Sequence, residues 1–194
     1  MRVHGDKIIQ RREGVIELSH YTDAKELLRE DFGNMCGYCG KNSDVMNERF
    51  HIDHFVPKSL DPDREHDYYN LVLSCPKCNL TKSNKWPTDD KNIANDGVVG
   101  FVDPATEEYN THMKRNEEGF IQGITPLGKN MCKYLNFDMR RTDLYWKIQC
   151  LYQIQDQLEE LAKEKKLDKD ELDYYLESNV FLKRYIKEAF EKGE

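Results

Sequence analysis

Two Cys-x-x-Cys pairs constrain this chain more than any other feature: Cys36 with Cys39, and Cys75 with Cys78, set 35 residues apart. Four soft thiolates suit a tetrahedral Zn2+ site, and a site filled by four protein ligands leaves no coordination position for a substrate. The expected zinc is therefore a structural staple, useful because the two short strands expected beside it are marginal on their own. Cys132 and Cys150 have no matching pair and read as core or surface thiols.

Reading the thiols as ligands rather than disulfides depends on the compartment. The start, "MRVHGDKIIQRREGVIELSH", is charged and lacks the apolar core of a secretory signal. No apolar run approaches the roughly 20 residues that cross a bilayer. A cytoplasmic protein with no membrane association and with reduced thiols is the expectation. At 194 residues, 38% hydrophobic and 34% charged, the chain suits one domain, or a small module with a helical extension. The net charge of −7 weighs against a nucleic-acid partner. Its distribution qualifies that: Cys75 to Trp86 holds Lys77, Lys82 and Lys85 with no acid, whereas Leu151 to the end holds twelve acids against eight bases.

Local patterns suggest α+β elements. "DAKELLRE" reads as a short helix capped by Ser19 or Thr22 and ended by Gly33. "RFHIDHFV" and "LVLSC" read as two short strands, and "CNLTKSNK" as a short helix stopped before Pro87. Residues 88–130 are rich in turn signals, with "GFVDP" and "GFIQGITP" as candidate strands. Further on, Leu144, Ile148, Leu151, Leu158 and Leu161 recur at helical spacing. A second helix is expected from about Lys169, with Leu172, Leu176, Val180 and Tyr185 as core candidates.

The polar groups around the thiols prefer a different metal. Asp53 and Asn79 offer oxygen ligands suited to Mg2+ or Mn2+, hard cations that keep waters and accept phosphate oxygens. His54 beside them can take a proton from an attacking water. On a regular strand Asp53 and His54 point to opposite faces, so their convergence requires the strand to end or bulge. His51 shares the side of Asp53 and reads either as an extra ligand or as a packed or solvated histidine. Asn70 either ties down the loop that carries His54 or simply favours a turn. Lys82 and Lys85 are candidate phosphate contacts on the helix after Asn79. His4, His20, His66 and His112 have no comparable setting.

Taken together, "DH…NL…CPKCN-x-x-K" behind an upstream C-x-x-C resembles the zinc-stabilised HNH endonucleases. The resemblance implies a ββα-metal core over about Cys36 to Lys85, with helical elements on either side. It implies His54 as general base, Asp53 and Asn79 as ligands of the catalytic metal, Asn70 as the middle asparagine, and hydrolysis of a DNA phosphodiester to a 5′-phosphate and a 3′-hydroxyl. The implied division is an N-terminal helical arm over 1–30, the nuclease module over 31–90, and an irregular linker with a C-terminal helical hairpin over 91–194. "CGYCG", "HIDHFVPKS", "YYNLVLSCPKCNLTKSNKWP" and "GITPLGKNMCKYLNFDMRRTDLYWKI" are similar to the HNH subunits of Septu-type and retron-linked anti-phage systems. Such subunits work with an ABC-like ATPase, and a double-strand break from a single-strand cutter requires a homo-oligomer or successive cuts. The competing expectation is a zinc-ribbon-like module that binds nucleic acid or protein without cutting.

Overall fold

The computed structural model describes residues 1–16 and 18–192. Among the described residues, 1–20 carry no helix or strand. They are a strap, and the helical part of the N-terminal arm begins only at Tyr21. Val3 is buried, His4 Nε2 lies 2.7 Å from the Gly37 carbonyl, and the Met1 ammonium donates to the Arg115 carbonyl at 3.0 Å. A 3-10 turn over Tyr21–Ala24 leads into α1 (Lys25–Asp31). The cap is the extended His20, whose N–H is accepted by the Asp23 carboxylate at 3.1 Å, in place of the expected Ser19 or Thr22. Leu28 and Phe32 turn into the core.

The first thiol pair sits in a turn closed by Gly40 N–H donating to the Cys36 carbonyl at 2.8 Å. Gly40 has φ +68, and a Cβ there would lie 2.6 Å from the Val3 carbonyl oxygen, so only glycine fits. A one-turn helix α2 (Ser43–Met46) follows, capped by Asn42. Strand β1 (His51–His54) pairs antiparallel with β2 (Leu71–Ser74), in the register Ile52↔Leu73, Asp53↔Val72 and His54↔Leu71. Helix α3 (Pro76–Lys82) then starts with Cys75 as its cap and Pro76 at its first position, two residues earlier than "CNLTKSNK" suggests. It stops where Ser83 takes φ +47. Strand, strand and helix thus form a ββα unit with one thiol pair on the α2-side turn and the other at the α3 cap.

Residues 91–140 are more than a linker. Helix α4 (Glu108–His112) runs into the hairpin of β3 (Met113–Arg115) and β4 (Ile121–Gly123), and α5 (Pro126–Tyr134) packs behind it. Met113, Ile121, Leu127, Met131, Leu135 and Phe137 from this region join the main core. "GFVDP" forms no strand; its Asp103 instead accepts from Arg11 at 2.7 Å and from the Ala105 N–H at 2.9 Å.

Helices α6 (Thr142–Glu164) and α7 (Lys169–Lys192) make the C-terminal hairpin. The root of α6 is fixed to the thiol turn by Gln149, which donates to the Gly40 carbonyl at 3.0 Å and accepts from Asn42 N–H at 2.8 Å. Leu144, Ile148 and Leu182 form the hairpin's own small core. The expected core positions Leu172, Leu176 and Val180 are exposed instead, at 46%, 54% and 67%. α7 carries two apolar stripes, and the one holding Leu182, Tyr185, Ile186 and Ala189 wins the contact with α6.

Candidate metal centre and active site

All four sulfurs of Cys36, Cys39, Cys75 and Cys78 lie within 4.8 Å of one another, and all four residues are buried. The Cys39 and Cys75 sulfurs are 3.7 Å apart. Tetrahedral ligation at a Zn–S distance near 2.3 Å places sulfurs about 3.8 Å apart, so the donor set fits zinc. The surroundings fit its charge. A zinc with four thiolates keeps a net charge of about −2, which burial makes costly without counter-charge. Arg140, 6% exposed, donates from Nη1 to the Cys78 sulfur at 3.2 Å. Lys41, 7% exposed, has its ammonium 3.9 Å from the centre of the Tyr145 ring. Burial works against the Lys41 charge, yet the Cys39 and Cys75 sulfurs and Glu48 hold it above the usual lysine range. Within the cluster, hydrogen bonds from Cys36, Cys75 and Cys78 hold the Cys39 thiol well below its usual range. Burial pushes Cys36 and Cys78 up.

The second group of polar residues is arranged by the strand end. His54 is the last residue of β1, and the ladder closes one step on with Phe55 N–H donating to the Asn70 carbonyl at 2.7 Å. His54 Nε2 sits 2.9 Å from the Glu65 carbonyl. A carbonyl only accepts, so this contact assigns the hydrogen to Nε2 and leaves Nδ1 with its lone pair. Burial lowers the His54 pKa, opposed by the Glu65 carbonyl and by Asp53. A neutral imidazole with a free Nδ1 is the form that can accept a proton.

Asn70 holds the loop that supplies Glu65. It is fully buried. Its oxygen accepts from Val56 N–H at 2.9 Å, and its amide nitrogen donates to the carbonyls of Val56 at 3.0 Å and Arg64 at 3.3 Å. The turn-forming reading of Asn70 does not account for these three bonds.

Asp53 and His54 have separate hydrogen-bond partners at the end of the strand, yet they are close enough for each charge to act on the other. Asp53 faces α3 and is 6% exposed. Tyr38 donates its hydroxyl to Asp53 Oδ2 at 2.6 Å, and the Lys82 ammonium lies 3.1 Å from the same oxygen. Both contacts go to Oδ2, so Oδ1 is outside either of them. Burial raises the Asp53 pKa and lowers that of Lys82, each opposed by the attraction between the two charges. Farther out along the same seam, Asn79 Nδ2 is 3.5 Å from Nδ1 of the exposed His51. Among the described residues the four cysteines are the cluster of His, Cys, Asp or Glu side chains close enough to share one metal ion, while Asp53, Asn79 and His51 are individually donors of the kinds a hard or borderline divalent cation accepts.

Lys82 is not a phosphate contact. It is fully buried, donating also to the His54 carbonyl at 2.7 Å, and has no surface to offer a phosphate. It braces Asp53 and the strand end instead. Replacing Lys82 by Met should destabilise the fold by about 3–5 kcal/mol, because a buried carboxylate is left without its partner. Urea unfolding checks this, and a loss below about 1 kcal/mol would show that Asp53 is protonated and needs no counter-ion. Lys85 remains exposed, donating to the Tyr134 carbonyl at 2.9 Å.

Several neighbours of His54 carry no sequence signal. Tyr21 lies edge-on to the His54 ring at 5.1 Å, His66 stacks near Tyr21 at 6.5 Å, and His20 meets His66 at 5.9 Å. Lys58 pairs with Glu65 at 3.1 Å and lies over Tyr21 at 5.6 Å. These residues come from a strap turn and a loop, where neither spacing nor periodicity foretells their meeting.

Among the described residues no helix is long and apolar enough to cross a membrane. No curated protein shows significant sequence similarity to the chain. A family model described as HNH endonuclease does match, from residue 36 to residue 85. That span begins at the first of the four clustered thiols, takes in His54, Asn70 and Asn79, and ends at Lys85, so the similarity of residues 36–85 to the HNH endonucleases covers both thiol pairs and the polar residues between them.

Proposed function

We propose that the chain is a metal-dependent endonuclease that hydrolyses DNA phosphodiester bonds. The observation that carries this reading is the neutral His54 imidazole, with Nε2–H donated to the Glu65 carbonyl and Nδ1 available. His54 takes the proton of a water at Nδ1 while the water oxygen attacks phosphorus. The bond to the 3′ oxygen breaks, that oxygen is protonated from solvent, and a 5′-phosphate and a 3′-hydroxyl result. Asp53 and Asn79, with His51 beside Asn79, are the proposed donors for Mg2+ or Mn2+. When bound, the ion supplies charge neutralisation at the phosphate and the leaving oxygen. Tyr38 and Lys82 orient Asp53 for that task, as supporting partners do for ligand carboxylates.

The resemblance to the HNH subunits of anti-phage systems supports a finer reading: an effector nuclease working beside an ABC-like ATPase subunit. The acidic balance of the chain agrees with a nuclease that needs a partner to reach DNA, since long-range repulsion slows association with a polyanion.

The test is cleavage of supercoiled plasmid by zinc-loaded protein, alone and with the cognate ATPase. Mg2+ or Mn2+ should support cutting and EDTA should stop it. RNA of matched length serves as the alternative substrate. Intact DNA under every condition, together with metal-independent binding, would instead establish the zinc-ribbon-like module that binds without cutting.

A further inference from the structure

One face of α7 is unused by the fold. Leu172, Leu176 and Val180 stand four residues apart on a single side of the helix and are exposed at 46%, 54% and 67%. Phe190, 85% exposed, falls on the same side about five turns beyond Leu172. Isolated exposed apolar residues need no explanation, but three in succession along one side of a helix do, and beyond Val180 the same side carries Lys183 and Lys187 before Phe190.

The charges beside the stripe divide it in two. From Lys169 to Val180 there are four acids, Asp170, Glu171, Asp173 and Glu177, against one base. From Phe181 to Lys192 there are four bases, Lys183, Arg184, Lys187 and Lys192, against two acids. The helix dipole favours such placement only within the first and last turns, whereas Glu177, Lys183 and Arg184 lie well inside. Among the described residues, ion pairs of α7 join Lys165 to Glu171, Arg141 to Glu188 and Lys187 to Glu191. Asp173, Glu177 and Lys183 take part in none of them.

We propose that this face is the contact between two copies of the chain, with their α7 helices antiparallel about a two-fold axis near Leu176–Val180. Antiparallel pairing sets the acidic half of each helix on the basic half of the other, whereas parallel pairing sets acid on acid. It brings Asp173 and Glu177 within a turn of Lys183 in the second copy, and it buries stripe on stripe. The contact is self-complementary, as a two-fold interface must be. Flanking charges select its orientation, as they do between paired helices generally. A single helix of 24 residues, about 36 Å long, makes a small contact, so the dimer forms and dissociates with concentration. The inference does not depend on the chemistry proposed at His54.

Sedimentation velocity of the full zinc-loaded chain, from about 1 to 100 μM, tests it against a micromolar dissociation constant. The mass should rise from 23.0 kDa toward twice that value. Leu176→Asp with Val180→Asp should hold the chain monomeric at every concentration, with an unchanged circular dichroism spectrum because both positions are exposed. Lys183→Glu alone should weaken the dimer about tenfold at low salt. Adding Asp173→Lys and Glu177→Lys to Lys183→Glu should restore it, with the charge pattern reversed. The proposal is overturned by a wild-type chain that stays monomeric throughout, by a dimer indifferent to these substitutions, or by a stripe that proves to be covered by a different protein.

Discussion

Removing zinc, or replacing Cys78 by Ala, should unfold the module between Cys36 and Lys85 rather than merely weaken it. Two four-residue strands and a seven-residue helix cannot bury enough surface to stand alone. A structural zinc contributes on the order of 10–16 kcal/mol in small zinc-dependent folds, against a whole-domain stability of about 5–15 kcal/mol. Cys78→Ala has a second effect, because it leaves the buried Arg140 guanidinium without the sulfur it donates to. The measurements are zinc content per chain and thermal unfolding followed by circular dichroism, before and after a strong chelator. One zinc per chain and loss of the cooperative transition on chelation are expected. Cys132→Ala and Cys150→Ala serve as controls that keep the zinc. A chelated protein melting as the untreated one does would mean that the hydrophobic core alone holds the cluster together.

The thiols were legible because ligand chemistry writes a fixed local spacing, and the family pattern around them is equally local. The ββα order of "RFHIDHFV", "LVLSC" and "CNLTKSNK" was legible for a related reason: each element is a continuous run with a clear stop. In residues 91–140 only part was legible: the candidate strand in "GFIQGITP" forms β4, whereas its partner β3 has three residues and shows no period. Lys82 defeated sequence reading differently. A lysine three residues after Asn79 looks the same whether its ammonium meets solvent or Asp53, and only the packing of α3 on β1 decides. In α7 the period correctly announced a helix, but it left two apolar stripes to choose between. The choice was made by α6, through Leu144 and Ile148 against Leu182. Tyr21, His20 and His66 converge on His54 from separate segments, a tertiary fact with no local trace.

His54→Ala should lower metal-dependent cleavage by about 10²–10⁴-fold, the usual contribution of a positioned general base, with zinc content and folding retained. The pH profile distinguishes loss of a base from loss of packing. Wild-type cleavage should rise from acid pH as His54 loses its proton. Burial places that step below the ordinary 6.5 of imidazole, so the rate should be level through neutrality. The variant should lose the step along with the rate. Stability moves in the same direction and must be measured beside it. A histidine whose folded pKa is depressed leaves the unfolded chain binding more protons as pH falls below 6.5, so the fold weakens toward acid. His4, pushed down to about 4 mainly by burial, adds to that loss in both proteins. An acid-side drop that survives in His54→Ala therefore reports unfolding, and the drop that disappears reports the base. Asn70→Ala separates the remaining alternative. It keeps the imidazole but frees the loop whose Glu65 carbonyl fixes the tautomer, so its rate should fall while its step moves. A variant lacking His54 that cuts at the wild-type rate would remove this imidazole from the reaction and return Asn70 to the role of a loop fastener.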